Sequence, residues 1–251
     1  MSEALVRLER TDGVLVIEMN RPGRRNALDR RLTDELSAAF DELDDDPTLS
    51  VGILAAAGPV FCAGTDLHEE ASPATDRGGE YGLVRRRRRR PLIAAVEGPA
   101  LGGGFELVLA CDLVVAGAQA SFGLPEVARG LVPTCGGLFR GPDRLPSVVA
   151  AELLLTGDPL PAARATSYGL VNVVCEPGQA LVEARALAAR ITKNSPDAVA
   201  ASLRALQDVR GPAEALGWTA TDHAIAAASH SPDWSEGTAA FFDKRAPRWQ
   251  R

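Results

Sequence analysis

The segment GPALGGGFELVLACDLVVA, residues 98–116, places consecutive glycines directly before a single carboxylate in an apolar run. The apolar residues around Glu106 are typical of a buried helix, so the glycines at 102–104 would lie at its N-terminus. A helix N-terminus presents unpaired amides and a partial positive charge, and glycine lets a ligand approach that backbone closely. The pattern therefore suits a pocket for an oxygen that becomes negative during a reaction.

Glu106 follows Gly103 by three residues, so both would lie on one face of that helix. A carboxylate there could act on the molecule whose oxygen the glycine amide holds. A structural role is equally compatible, in which the glycines allow tight helix–strand packing and Glu106 is a capped or paired core acid. The segment alone does not decide between the two, although it lacks the Gly-x-Gly-x-x-Gly spacing of a dinucleotide site.

Two further segments favour the catalytic interpretation. GPVFCAGTDLHEE is an apolar strand end that runs into small residues, and it would supply a second backbone amide near Gly64 and Thr65. ASFGLPEVARGLVPTCGG places Glu126 directly after Pro125 in apolar surroundings, where desolvation raises the pKa of a carboxyl. Two acids facing one cavity could then differ in pKa, so that one gives a proton and the other takes one.

With these motifs the chain resembles the crotonase superfamily, the enoyl-CoA hydratase/isomerase family. The resemblance covers nearly the whole chain, in the segments NRPGRRNALDRRLTDEL, FCAGTDL, PLIAAVEGPALGGGFELVLACDLVVA, FGLPEVARGLVPTCGG, AELLLTG, ATSYGLVNVVCEPG and EGTAAFFDKRAPRW. It implies an α/β fold with a crotonase-like β/β/α spiral core and a helical C-terminal trimerisation region. It also implies that the ligand is an acyl-CoA thioester.

The resemblance gives each candidate residue a role. Thr65 and Gly103 match the residues whose amides form the oxyanion hole for the thioester oxygen, and Glu106 and Glu126 match the two glutamates of the hydratases. The implied reaction is hydration of a 2-enoyl-CoA to a 3-hydroxyacyl-CoA. In it Glu106 deprotonates the water that attacks Cβ, and Glu126 supplies the proton to Cα.

The family's contacts to CoA fall on the segments RRNAL and CAGTDL. The matching residues are Arg25, Ala27, Ala63, Asp66 and Leu67. Ordinary surface charge for Arg25 and a loop cap for Asp66 are the structural alternatives. The resemblance implies no metal and no cofactor, since CoA is part of the substrate. It implies a homo-oligomer, a trimer or a dimer of trimers, in which the terminal FFDKR completes a neighbour's CoA pocket.

Other functions use the same residues. An enoyl-CoA isomerase, a carnitinyl-CoA-type dehydratase and an acyl-CoA hydrolase of this family would share the oxyanion hole. A different class, an RNA-binding protein, is suggested by the six consecutive arginines from Arg85 to Arg90. That run could instead be a solvated helix face or a site for an anionic group. The formal net charge of −6 disfavours nucleic acid as the partner.

The elements that must position these residues follow from the apolar pattern. ALVRLER and VLVIEMN flank Thr-Asp-Gly and predict a hairpin, and Asp29 is a plausible N-cap for an amphipathic helix after it. The short apolar runs SVGILAA and PLIAAVEG predict parallel strands that helices cover on both faces. Residues 71–82 have the composition of a mobile loop.

Two regions are expected, a β/β/α core with the acyl-CoA site at 1–177 and a helical region at 178–251 whose segments are broken at Pro196 and at Gly211-Pro212. The four cysteines form no Cys-x-x-Cys pair, which argues against a zinc site. The apolar runs are too short for a membrane span, and the first residues lack the apolar core of a secretory signal. The sequence therefore predicts a cytoplasmic protein.

Overall fold

The computed structural model describes residues 4–66, 68–69 and 71–250. The strands are β1 (Val6–Thr11), β2 (Val14–Met19), β3 (Val51–Ala56), β4 (Ala74–Thr75), β5 (Gly79–Glu80), β6 (Leu92–Val96), β7 (Pro99–Leu101), β8 (Leu113–Gly117), β9 (Ser121–Gly123), β10 (Leu160–Pro161) and β11 (Val173–Cys175). The helices are α1 (Arg30–Asp45), α2 (Gly103–Ala110), α3 (Gly137–Arg144), α4 (Ser147–Thr156), α5 (Ala162–Ser167), α6 (Ala180–Thr192), α7 (Pro196–Ser229) and α8 (Pro232–Phe242). Short 3₁₀ helices cover Pro22–Arg24 and Pro125–Arg129.

The main sheet has the strand order β1-β2-β3-β6-β8-β11 and is parallel except for the edge strand β1. Alternate residues of its strands belong to two apolar clusters, because successive side chains of a strand point to opposite faces. One cluster contains α1 and α2, and the other contains the alanines of α6. The sheet is therefore covered on both faces, as its apolar strands predict.

A smaller sheet has the strand order β10-β9-β7, and the chain enters it from two neighbouring strands of the main sheet, β6 and β8. β7 follows β6 after two residues and leads directly into α2, and β9 follows β8 after three residues and leads into the 3₁₀ helix at Pro125–Arg129. β7 and β9 pair in parallel, as β6 and β8 do. This strand–strand–helix repeat is the predicted β/β/α order, and it sets the N-terminus of α2 at the end of β7.

The predicted N-terminal hairpin and first helix are confirmed. β1 and β2 pair antiparallel across the Thr-Asp-Gly turn. The side chain of Asp29 accepts a hydrogen bond of 2.8 Å from the amide of Leu32 and caps α1. The apolar stripe of α1 is fully buried against the sheet at Leu36, Phe40 and Leu43.

The segment 71–82, expected from its composition to be a mobile loop, contains a short hairpin. The two-residue strands β4 and β5 pair antiparallel, and the chain after them buries Tyr81, which is 1% exposed. Composition alone did not show this because the strands are too short for a periodic pattern. The hairpin rests on tertiary contacts instead, for example the hydrogen bond of 3.0 Å between the Ser37 and Thr75 hydroxyls.

The prediction of a solvated helix face for the arginine run is also wrong. The run has no helix, and burial alternates along it, with Arg86 and Arg88 buried and Arg87 exposed between them. Such alternation is the period of an extended chain. Arg86 donates to Asp41 at 2.7 Å, and Arg88 donates to both carboxylate oxygens of Asp112. Ion pairs with carboxylates thus accompany the burial of alternate guanidinium groups, and fewer charges stay free for a nucleic acid.

The break expected at Gly211-Pro212 does not occur, since α7 runs without interruption through Pro212. Contacts with α3 support the helix beyond that point, where Gly217 lies so close to the Phe139 ring that a Cβ would overlap it. The chain breaks later, at Ser231, whose hydroxyl accepts a hydrogen bond of 3.2 Å from the amide of Asp233 and caps α8. In the part of the chain described above, no helix combines the length and the apolar character needed to cross a membrane.

Replacing Arg88 by Met should lower the free energy of unfolding by about 3–5 kcal/mol, because the largely buried charge of Asp112 would lose its guanidinium partner. Although burial alone would raise it, the pKa of Asp112 is lowered by the Arg88 guanidinium. The matched control is Arg87→Met, which removes an exposed ion pair with Asp208 and should cost less than about 1 kcal/mol. Urea unfolding followed by circular dichroism measures both, and equal losses would contradict the assignment.

Candidate active site

The N-terminus of α2 touches the turn that follows Cys62, and glycine is required at the contact. Gly64 has a φ of +97° and Gly102 a φ of +53°, both in the region that side chains avoid. A Cβ on Gly64 would lie 3.0 Å from the Leu101 carbonyl oxygen and 3.2 Å from the Gly103 nitrogen. The two backbones therefore meet directly, and the amides of two neighbouring segments come together.

The Thr65 and Gly103 amides are available for a ligand. Within residues 4–66, 68–69 and 71–250, neither amide donates to a protein acceptor. The residues around Thr65 are held in place, since Leu28 donates to the Gly64 carbonyl and accepts from the Asp66 amide, both at 2.9 Å. Unpaired amides on a rigid backbone are the donors that an oxyanion hole needs.

Thr65 and Gly103 both line a cavity of about 560 Å³, and Glu106 and Glu126 line it too. The structure thus brings together the four residues to which the sequence assigned chemistry. Cavities of roughly 300–1,000 Å³ hold small-molecule ligands in proteins. The arrangement offers two hydrogen-bond donors and two carboxyl groups to a single bound molecule.

Glu106 lies in the first turn of α2 and is 2% exposed. Its Oε1 accepts hydrogen bonds from the amides of Cys135 at 2.7 Å and Gly137 at 2.8 Å. Burial raises the pKa of Glu106 above its usual range, while the two amides act in the opposite direction. Because these amides stabilise the charged form, Glu106 is the acid of the cavity better suited to be a carboxylate.

Glu126 follows Pro125 at the start of the 3₁₀ helix. Its Oε2 is buried and has no hydrogen-bond partner among the described residues. Its Oε1 lies beside Gly102, where a Cβ would be only 2.9 Å away. Burial and then the charge of Glu106 raise the pKa of Glu126 well above its usual range, in the direction that the sequence predicts. Glu126 is therefore the acid better suited to hold a proton.

The residues matched to CoA contacts are spread more widely. Ala63 and Asp66 line the cavity, whereas Arg25 and Ala27 are absent from its described wall. Arg25 is exposed on the 3₁₀ turn, where its carbonyl accepts from the Ala63 amide at 3.0 Å. Leu67 lies outside the described residues. Their role toward CoA stays a prediction.

Asp66 is held by one contact within its own loop and by one distant arginine. Its Oδ2 accepts from the Arg21 guanidinium at 2.9 Å, and its Oδ1 accepts from the His68 amide at 3.2 Å. Although burial alone would raise it, the pKa of Asp66 is lowered by these hydrogen bonds. The loop-cap alternative for Asp66 therefore has direct geometric support.

The sequence interpretation missed several residues of the cavity wall, chief among them Tyr81 and Arg129. Arg129 lies three residues after Glu126, and this helical spacing could have predicted that the two side chains lie close together. Tyr81 carried no such signal, because it joins the cavity only through the short hairpin. Among the described residues, no group of three or more His, Cys, Asp or Glu could hold a metal ion.

Helix α8 covers the cavity of its own chain. Trp234 and Thr238 belong to the cavity wall. The Arg129 guanidinium lies 4.6 Å from the ring centre of Phe241, and the His68 and Phe242 rings are 5.7 Å apart. The terminal FFDKR, expected to complete a neighbour's pocket, thus begins against this chain's own site.

Comparison with known proteins gives a consistent result. A sequence model of the family described as enoyl-CoA hydratase/isomerase matches residues 9–251. The chain is 40% identical to an enoyl-CoA hydratase of Mycobacterium tuberculosis, over 99% of this chain and 96% of the relative. It is 39% identical to a carnitinyl-CoA dehydratase of Salmonella arizonae, over 100% of this chain and 99% of the relative.

Solved structures agree with the sequence comparison. The crystal structure of a carnitinyl-CoA hydratase from Mycobacterium avium is 39% identical and superposes with a TM-score of 0.92, covering 99% of both chains. An enoyl-CoA hydratase structure from Mycobacterium tuberculosis is 46% identical, with a TM-score of 0.80 and 99% of both chains covered. These likenesses confirm the predicted α/β fold with a crotonase-like core.

The proton on Glu126 should make stability depend on pH. Because the folded chain raises the pKa of this carboxyl, the folded state binds more protons than the unfolded state between the two pKa values, so stability falls as the pH rises through that range. Glu126→Gln keeps the shape of the neutral acid. It should therefore exceed the wild type in unfolding free energy by at least about 1.4 kcal/mol near pH 9, the equivalent of one pKa unit.

Chemical denaturation across the pH range measures this difference, which should disappear below about pH 4.3, the pKa of an unperturbed Glu. Glu152→Gln is the matched control, because the exposed Glu152 has its pKa lowered by a hydrogen bond from Arg164 and should show no gain at high pH. If the difference in unfolding free energy between Glu126→Gln and the wild type did not depend on pH, the proposal that Glu126 holds a proton would be wrong.

Proposed function

We propose that this chain, which belongs to the enoyl-CoA hydratase/isomerase family, hydrates a 2-enoyl-CoA thioester to the 3-hydroxyacyl-CoA. One observation carries the proposal: two residues with unpaired amides, Thr65 and Gly103, line the same cavity as two glutamates. Hydration of a conjugated thioester needs these components together. The amides stabilise negative charge on the thioester oxygen, and the acids handle water and a proton.

In the proposed reaction, the thioester oxygen accepts hydrogen bonds from the amides of Thr65 and Gly103. As water adds to Cβ, charge moves from the double bond onto this oxygen and an enolate forms. Donors fixed in advance stabilise that charge more than the neutral thioester, which lowers the barrier. The partial positive charge at the N-terminus of α2 acts in the same sense.

The two acids divide the remaining work according to their surroundings. Glu106, with two amides on its carboxylate, takes a proton from the water whose oxygen bonds to Cβ. Glu126, whose buried Oε2 lacks a partner in the described structure, gives its proton to Cα. The product gains one water, and one proton has passed from Glu126 to Cα while another has passed from the water to Glu106. Hydration involves no net oxidation or reduction, so the reaction needs no electron acceptor. CoA takes part only as a component of the substrate.

The alternatives differ in how many acids they need. A carnitinyl-CoA-type dehydratase would run comparable water chemistry, so the two acids support it equally. An isomerase moves a proton along the acyl chain, and a hydrolase directs water at the thioester carbon. The pair of acids with contrasting environments therefore supports addition or loss of water above both.

A homo-oligomer, a trimer or a dimer of trimers, is part of the proposal. Large apolar side chains of α7 are exposed in the single chain, with Leu206 57%, Leu216 71% and Val209 82% accessible. Exposed apolar groups on one long helix suit an interface between subunits. The proposal keeps the cytoplasmic location that the sequence predicts.

Purified protein should hydrate crotonyl-CoA, measured by the loss of the ultraviolet absorbance of the conjugated thioester. Glu106→Gln and Glu126→Gln should each lower kcat by roughly 10²–10⁴-fold, since each removes a positioned acid or base. Glu152→Gln, on the exposed face of α4, should retain wild-type turnover. Undiminished kcat in either active-site variant would remove that glutamate from the mechanism.

The same preparation separates the other functions. A hydrolase would release free CoA thiol from the thioester, and an isomerase would convert a 3-enoyl-CoA to the conjugated form without adding water. An RNA-binding protein would shift RNA in a gel with an affinity that falls steeply with salt. If the protein shows one of these activities and does not hydrate an enoyl-CoA, that activity would replace the proposed hydration.

A further inference from the structure

Tyr81 occupies a position that the chain reaches only with backbone strain. Its φ is +56°, in the left-handed region that aromatic residues rarely adopt. The chain is tightly folded around it, since a Cβ on Gly78 would overlap the carbonyl of Gly82, and the Tyr81 amide donates to the Pro73 carbonyl at 2.8 Å. Strain of this kind is retained where surrounding structure holds a side chain in a required place.

The Tyr81 hydroxyl has three polar neighbours inside the protein. It lies 2.7 Å from the Thr65 hydroxyl, donates to the Ser72 hydroxyl at 3.1 Å and accepts from the Cys135 thiol at 3.3 Å. The side chain is 1% exposed, so these groups replace water as its partners. The phenol also lies against α2, because a Cβ on Gly103 would collide with its oxygen.

These neighbours belong to the two halves of the candidate site. Thr65 carries one of the unpaired amides. The amide of Cys135 donates to Glu106 at 2.7 Å. One buried hydroxyl therefore contacts both the residue that would hold the thioester oxygen and the residue that holds the proposed base.

We infer that Tyr81 is a positioning residue, which fixes the distance between the oxyanion amides and the Glu106 carboxylate for the reaction proposed above. Its effect is exerted through Thr65 and Cys135. Burial raises the pKa of Tyr81 well above its ordinary value, so the phenol stays neutral and keeps the proton that it shares with its neighbours.

Positioning predicts a particular kinetic signature. Small errors in the distance between reacting groups affect the transition state more than binding of the ground state. Loss of the hydroxyl should therefore lower kcat and leave KM nearly unchanged. It should also weaken polarisation of the bound thioester carbonyl, although Tyr81 does not touch that oxygen in the proposed complex.

The first experiment compares Tyr81→Phe with Tyr168→Phe, the other tyrosine of the chain. The Phe ring keeps the packing and removes only the hydroxyl. With crotonyl-CoA, kcat of Tyr81→Phe should fall by roughly tenfold, the effect of a net hydrogen bond, with KM within about threefold of the wild type. Tyr168→Phe, placed outside the cavity beside Arg164, should match the wild type.

The second experiment measures how strongly the oxyanion hole polarises a bound thioester that is not converted to product. Infrared spectroscopy of bound butyryl-CoA, which has no double bond to hydrate, should show a lowered carbonyl stretching frequency in the wild type and a smaller shift in Tyr81→Phe. Thr65→Val removes the hydroxyl partner but keeps the amide. If Tyr81 acts through Thr65, the double variant should show about the same shift as either single variant.

The outcomes are distinguishable. Wild-type kcat and carbonyl shift in Tyr81→Phe would overturn the inference, as would a lowered melting temperature with the shift intact, which would show a purely structural role. Failure of the wild type to hydrate crotonyl-CoA would instead overturn the proposed function. In that case the butyryl-CoA spectra would still decide whether Tyr81 sets the geometry of the Thr65 amide.

Discussion

The contact between the turn at Gly64 and the N-terminus of α2 is the constraint on which the rest of the site depends. Leu101 donates to the Cys62 carbonyl at 2.9 Å, so β7, the strand before α2, is joined to the segment before the turn by an isolated β-bridge between Cys62 and Ala100. Gly64 and Gly104 remove the side chains that would hold the two backbones apart, since a Cβ on Gly104 would overlap Cys62. The amides at the two sides are rigid because main chain, rather than a mobile side chain, supplies them.

A second consequence follows for the acids that this contact brings together. Two carboxyl groups in one buried cavity cannot both ionise freely, because each charge is poorly solvated and repels the other. The structure resolves the conflict by asymmetry: Cys135 and Gly137 donate to Glu106, while Glu126 is left with an unpartnered buried oxygen among the described residues. Different surroundings, rather than different residue types, thus separate a proton acceptor from a proton donor.

The sequence predicted what local chemistry determines. The Asp29 cap, the apolar strands and the glycines before α2 each act within a few residues of themselves, and the raised pKa of Glu126 follows from an apolar neighbourhood that is visible in the chain. Tyr81, Arg88 and Pro212 could not be interpreted in this way. The hairpin that buries Tyr81, the carboxylate that draws Arg88 inward and the helix packing around Pro212 all depend on partners distant in sequence.

In the proposed function, the residues that carry out the reaction and the residues that could select the acyl group come from different parts of the chain. The amides and acids belong to the turns and to α2, whereas another part of the cavity wall comes from the C-terminal helices. The wall residues from those helices are Asp222, Ile225, Trp234 and Thr238. Relatives named for enoyl-CoA and for carnitinyl-CoA resemble this chain about equally, so overall similarity does not select the acyl group. Since the glycine contact includes no residue of these helices, one catalytic arrangement is compatible with different acyl groups.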